Sequence, residues 1–209
     1  PSRRWNSVGT SAAMAARFVD HPDAVAETVA DRTVRPDGVD LDDVGALDEQ
    51  LLRDVDRIVI VACGTSFNAG LIGRYAIEEW ARVPVDMDIA SEFRYRNPIF
   101  RERDLVIGIT QSGETADTLA AMRVAKEAGA KVLAITNMRD SQVTRDADGV
   151  LFTRAGLEVS VAATKTFVCQ VAVLYLLALR LAELRGELDT AQLTELVGHP
   201  RIVEVHGRV

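Results

Sequence analysis

Five short runs rich in Val and Ile recur along the middle of the chain: Arg57–Ala62 (RIVIVA), Val85–Ile89, 105–110 (LVIGIT), Lys131–Thr136 (KVLAIT) and Gly149–Phe152. Three are almost continuously apolar, as expected of strands covered on both faces in a parallel sheet. The gaps between them predict helices at 68–81, 115–128 and 158–184. Gly129 and Pro84 follow two of these segments as stop signals. Strand and helix in strict alternation predict an α/β fold: a doubly wound five-stranded parallel sheet flanked by helices, with right-handed crossovers. In a flavodoxin-like order, 2-1-3-4-5, the first and third runs are neighbours and the switch point lies between them.

The pattern is weaker at both ends. Residues 1–12 (PSRRWNSVGTSA) have no periodicity and read as a tail. Residues 13–30 are helical in composition, with Pro22 as a break or as the first residue of a second helix. Residues 31–43, rich in Asp, Pro and Gly, read as a linker. The division expected is therefore 1–46 as tail, helices and linker, 47–185 as one domain, and 186–209 as a frayed or truncated connector.

Composition narrows the function. Apolar residues make up 48% of the 209, and charged residues 26%, which suits a sizeable core. A net charge of −7 argues against a nucleic-acid partner, which would call for a basic stripe. Cys63 and Cys169 both sit in apolar runs, so reduced thiols and a cytoplasmic setting are expected. No signal-peptide pattern opens the chain. The nearly uncharged run 166–179 contains Gln170 and is too short to span a bilayer. Its stripe of Phe167, Val171, Leu174, Leu177 and Leu181 predicts packing, in the core or at a dimer interface.

Two strand-to-helix junctions carry the candidate chemistry. Cys63-Gly64-Thr65-Ser66 follows the first strand, and Gln111-Ser112-Gly113-Glu114-Thr115 follows the third. Glycine permits a tight turn that aims backbone N–H groups at a ligand, and a helix N-terminus adds free donors and positive potential. The hydroxyls of Thr65, Ser66, Thr110, Ser112 and Thr115 can each donate to a phosphate oxygen. Neither loop holds Lys or Arg, which fits a monophosphate on a small molecule better than a nucleotide triphosphate with magnesium. Ser and Thr are also ordinary N-caps, and Gly is ordinary in such turns. The binding role rests on both loops meeting at one switch point. Neither a P-loop nor a dinucleotide-binding motif is present.

The other reactive residues carry less. Cys63 has no histidine near it in sequence, so a structural role is expected. His21, His199 and His206 fall outside the strand–helix alternation, and no metal site is expected. Glu158 and Lys165, seven residues apart at the expected start of the long helix, read as a salt-bridged or capping pair, with catalysis as the weaker alternative.

The strings ACGTSFNAGLIGRY, VDMDIASEFRYRNP, TQSGETADTLAAMRVAKEAG and AGLEVSVAATKTF resemble the SIS (sugar isomerase) family, in particular the first of the two SIS domains of glucosamine-6-phosphate synthases. The resemblance spans about 57 to 185. It implies phosphate and sugar contacts at Cys63, Gly64, Thr65, Ser66, Thr110, Gln111, Ser112 and Thr115, with Val161 and Ala163 lining the sugar. Thr110 stands where the family usually has Ser, which keeps a hydroxyl. Ala163 also replaces a usual Ser, which removes one sugar hydrogen bond. Ala16-Arg17 stands where a Lys-Glu pair is common.

The resemblance implies a parent reaction of fructose-6-phosphate plus glutamine to glucosamine-6-phosphate plus glutamate, without metal or organic cofactor. It also implies a second SIS domain, a glutaminase domain and a homodimer as partners. The chain is then expected to be the sugar-phosphate-binding half, and inactive alone. A non-catalytic sugar-phosphate sensor, or another SIS-family isomerase or deaminase, are the alternatives.

Overall fold

The computed structural model describes residues 22–30, 34–35, 38–41, 44–158 and 163–198. Helix α1 (Pro22–Ala30) comes first, then a small antiparallel pair, β1 (Val34–Arg35) and β2 (Gly38–Val39), and α2 (Glu49–Asp54). The alternation follows: β3 (Arg57–Ala62), α3 (Gly64–Ala76), β4 (Val85–Ile89), α4 (Ala90–Phe93), β5 (Asp104–Thr110), α5 (Ala116–Glu127), β6 (Lys131–Thr136), α6 (Gln142–Asp146) and β7 (Gly149–Phe152). The long α7 (Lys165–Arg185) and α8 (Thr190–Gly198) complete it.

All five runs of Val and Ile form strands of one parallel sheet, ordered β4-β3-β5-β6-β7. This is the doubly wound order expected, with β3 and β5 side by side and Ala62 opposite Ile109 at their C-terminal ends. Successive strand residues point to opposite faces, and both faces are apolar. Ile58, Ile60, Ile107, Ile109, Leu133 and Ile135 face the layer that contains α7. Val59, Val61, Val106 and Val132 face the layer built on Phe93, Leu119 and Met122. Each fully buried aliphatic side chain contributes roughly 1.5–3 kcal/mol, so the two layers together dominate stability.

Helix α7 is long and apolar enough to cross a membrane by length and composition, yet 78% of its apolar window is buried inside the protein. Phe167, Val171, Leu174, Leu177 and Leu181 are all buried, which places the stripe in the core. Of the two settings considered for it, core or dimer interface, the first is the one seen. Gly73 of α3 lies so close that a Cβ there would come within 2.7 Å of Leu174, so glycine sets the approach of the two helices. Arg185 then ties the far ends together, donating to the carbonyls of Arg53, Val55 and Ala81.

Several expected boundaries move. The helix predicted from 68 begins at Gly64, which draws Thr65 and Ser66 into its first turn. It continues as a π-helical turn, Ile77–Ala81, and stops at Arg82 in the left-handed region (φ 56°), two residues before Pro84. The long helix begins at Lys165, not near Glu158. Pro22 opens α1, the second of the two roles considered for it. Val39, Leu41 and Leu193 share the main core cluster, so the packed unit extends past 47–185 on both sides. The tail, the rest of the first helical segment, and His21, His199 and His206 lie outside the described residues.

Candidate functional site

The β3–α3 and β5–α5 loops meet at the C-terminal edge of the sheet, on either side of the switch point. Within α3 the first helical bond is donated by Phe67 to Cys63 O (3.4 Å). The N–H groups of Gly64, Thr65 and Ser66 precede it, so they are free of intrahelical partners. In α5 the first bond runs from Leu119 N to Thr115 O (3.0 Å), and the N–H groups of residues 116–118 precede it in the same way. The N-cap residues, Cys63 and Thr115, make no side-chain capping bond. Two helix N-termini thus carry unpaired donors and partial positive charge toward one place.

Glycine permits both turns. Gly64 adopts φ +58° with open space where a Cβ would stand. Gly113 adopts φ +69°, and a Cβ there would collide with Ser141 Oγ. The second loop is also braced from β6 and α6: Asn137 N donates to Gln111 O (3.2 Å) and Val143 N to Gly113 O (3.0 Å). Glu114 accepts from Gln142 N (2.6 Å).

Between the loops lies an open cleft of about 120 Å³. Cys63, Thr65 and Ser66 line one side, and Thr110, Gln111, Ser112 and Thr115 the other. Ile109, Thr118 and Ala163 complete the wall. Eight of the ten residues expected at the site therefore line one cleft. Gly64 contributes the turn beneath it, and Val161 lies outside the described residues.

The hydroxyls are not equivalent. Thr110 is buried, accepts from Gly113 N (3.2 Å) and pairs with Thr115 Oγ1 (2.8 Å). It holds the loop in shape, and Thr115 is the outer member of that pair. Ser112 Oγ accepts from Glu114 N (3.2 Å) and Ser66 Oγ accepts from Gln170 Nε2 (3.0 Å), so each keeps its own proton to donate. Thr118 joins the expected set as an addition. Its hydroxyl is buried and has no hydrogen-bond partner. Gln170 is a second addition, and one amide in the nearly uncharged run 166–179 is its visible signal in the sequence.

Glu158 and Lys165 do not share a helix face. Glu158 precedes α7, and its two carboxylate oxygens accept from Thr164 N (2.7 Å) and Thr166 N (3.1 Å). It caps the helix from outside, the capping alternative considered for it. Burial pushes its carboxyl up, but donors from Thr166 and the backbone N–H groups of Thr164, Thr166 and Lys165 outweigh this and hold its pKa below the ordinary 4.5. Burial raises the Cys169 thiol to about 11, which keeps it protonated and unreactive at neutral pH.

A doubly wound sheet with two donor-rich helix N-termini at its switch point is an arrangement suited to a small anionic ligand. The SIS domain model matches residues 51–180, and the chain belongs to that family. It is 49% identical over 178 residues to the glutamine–fructose-6-phosphate aminotransferase (isomerizing) of Streptomyces coelicolor, covering 85% of this chain and 29% of that protein. The protein of the same name from Mycobacterium tuberculosis strain H37Rv is 51% identical over 173 residues, 83% of this chain and 27% of the relative. The chain thus spans under a third of the length of these curated relatives.

Among solved structures, the C-terminal domain of glucosamine-fructose-6-phosphate aminotransferase from Francisella tularensis superposes with a TM-score of 0.81. It is 36% identical and covers 91% of this chain and 54% of that one. Glucosamine-6-phosphate deaminase from Thermotoga maritima shares the fold (TM-score 0.63, 21% identity, covering 90% and 53%).

Proposed function

We propose that this chain is the sugar-phosphate-binding half of the isomerase part of a glutamine–fructose-6-phosphate aminotransferase. The ligand is fructose-6-phosphate or glucosamine-6-phosphate, and the reaction of the whole protein converts fructose-6-phosphate and glutamine to glucosamine-6-phosphate and glutamate. One observation carries the reading: two helix N-termini, neither capped by its own side chain, face one hydroxyl-lined cleft. The phosphate takes the N–H groups and the hydroxyls of Thr65, Ser66, Ser112 and Thr115. Ala163 in the wall of the cleft faces the sugar, and Val161 is a further sugar contact by resemblance to the family. Neutral donors suit a monophosphate because they satisfy its oxygens without a counter-ion.

The names and lengths of the relatives support a longer parent chain, with a second SIS domain and a glutaminase domain as partners in it. Self-association belongs to the same proposal, as does a cytoplasmic setting, which the two unpaired cysteines favour.

Titration calorimetry of the purified chain with fructose-6-phosphate, glucosamine-6-phosphate and arabinose-5-phosphate tests both site and preference. The hexose phosphates should bind best. Replacing Ser112 and Thr115 together by Ala should weaken binding at least tenfold, since a hydrogen bond to a charged group contributes about 1.5–3 kcal/mol. Unchanged affinity in that double variant removes the site assignment.

A further inference from the structure

Gln170 is 1% exposed, in the second turn of the long and largely buried α7. Its neighbours on α7 include Phe167, Val168, Val171 and Leu174, all buried. A carboxamide in such a place loses its water, and native proteins place one there only with partners that compensate or with a function. Here the compensation is half complete. Nε2 donates to Ser66 Oγ (3.0 Å) across 104 residues of sequence, and Oε1 has no partner. Leucine would pack in its place without that loss, so core stability does not explain the glutamine.

Ser66 explains it. A serine hydroxyl has one proton and two lone pairs. Ser66 lines the cleft, is 8% exposed and stands in the first turn of α3. With a lone pair taken up by Gln170, the hydroxyl proton is left to point at whatever occupies the cleft. A carboxamide turned the other way would accept that proton at Oε1 and leave lone pairs facing an anion. Only the orientation seen here lets Ser66 donate to a phosphate.

We propose that Gln170 is a positioning residue for the anion site: it fixes the Ser66 hydroxyl as a donor without touching the ligand. The inference rests on the sugar-phosphate reading of the cleft and adds α7 to the two loops as the third element that builds the site.

A double-mutant cycle on the full chain tests it, with inorganic sulfate and fructose-6-phosphate as probes and titration calorimetry as the readout. Gln170→Met keeps length and helix propensity and removes the donor; its affinity for both probes should fall roughly fivefold, the worth of one ordinary hydrogen bond. Ser66→Ala should cost tenfold or more. The deciding comparison is Gln170→Met in the Ser66→Ala background, where it should change nothing. A loss of the same size with and without Ser66 would show that Gln170 only supports the packing, and would overturn the proposal. So would unchanged affinity in Gln170→Met alone. Gln170→Asn retracts the amide from Ser66 while keeping a polar helix residue, and must reproduce the same dependence on Ser66. If the Gln170→Met variant fails to fold, Gln170→Asn decides by the same comparison. A parent chain that binds neither probe overturns the reading of the cleft itself, a different outcome from a cycle without coupling.

Discussion

Thr118 sits in the first turn of α5 and lines the cleft, and its hydroxyl lies just behind that wall, buried and unpartnered. A hydroxyl without a partner weakens the fold, and a ligand in the cleft would give it one. Thr118→Val removes the hydroxyl at nearly constant shape. It should raise the unfolding free energy by about 1 kcal/mol, because an unsatisfied buried group is lost. The same variant should bind fructose-6-phosphate less tightly. Opposite signs in thermal unfolding and calorimetry are the expected outcome; a destabilised variant with unchanged affinity contradicts it. Much of the cleft is legible in the sequence at this scale, because Gly, Ser and Thr at two strand-to-helix junctions have few other ways to act together. What each hydroxyl does is not legible there. Thr110 and Thr115 are the same residue type in the same loop, yet Thr110 is committed to Gly113 N–H and Thr115 is not. That difference belongs to the turn at Gly113 (φ 69°), whose N–H meets Thr110 Oγ1 at 3.2 Å, and no residue spacing reports it.

The start of α7 depends on a residue that the helix does not contain. Glu158 accepts from Thr164 N and Thr166 N, so the first turn is satisfied by a carboxylate from the preceding loop. Helix composition in 158–184 predicts an earlier start, because periodicity is blind to a cap that reaches across a loop. The strands are legible for the opposite reason: burial on both faces leaves a local imprint, an unbroken run of Val and Ile, that does not depend on distant residues. The cap has a pH signature. Its folded pKa lies below the ordinary 4.5, so its stabilisation is fully present above about pH 4.5 and is lost as pH falls through the folded value. Glu158→Gln should cost about 1 kcal/mol near neutral pH, the usual worth of a cap. The gap in melting temperature between the parent and Glu158→Gln should hold at neutral pH and narrow below about pH 4.5. A gap that is constant down to acid pH would mean that the carboxylate charge does not contribute.

At the scale of the whole molecule, binding and chemistry separate. The sheet order places both loops at one switch point, and α7 closes the site from behind through Gln170. Holding a phosphate requires only these fixed donors. Isomerisation requires more, since a base must take a proton at one carbon of the open-chain sugar and an acid must serve the neighbouring oxygen, each within about 3 Å. Among the described residues that line the cleft, the side chains are hydroxyl, amide, thiol and apolar, with no carboxylate, imidazole or amine. Glu158 is bound to the start of α7, and its lowered pKa makes it a poor proton acceptor at neutral pH. The chain should therefore bind fructose-6-phosphate and leave it unchanged. Incubation with fructose-6-phosphate should yield no glucose-6-phosphate, and addition of glutamine should yield no glucosamine-6-phosphate, at protein concentrations that saturate the ligand in calorimetry. Exchange of the C1 proton of fructose-6-phosphate with deuterated water, followed by NMR, is the sensitive form of the same assay, because it detects proton abstraction without net conversion. Exchange that disappears in Glu158→Gln would place a catalytic base in this chain and end the division between a half that holds the sugar phosphate and a half that transforms it.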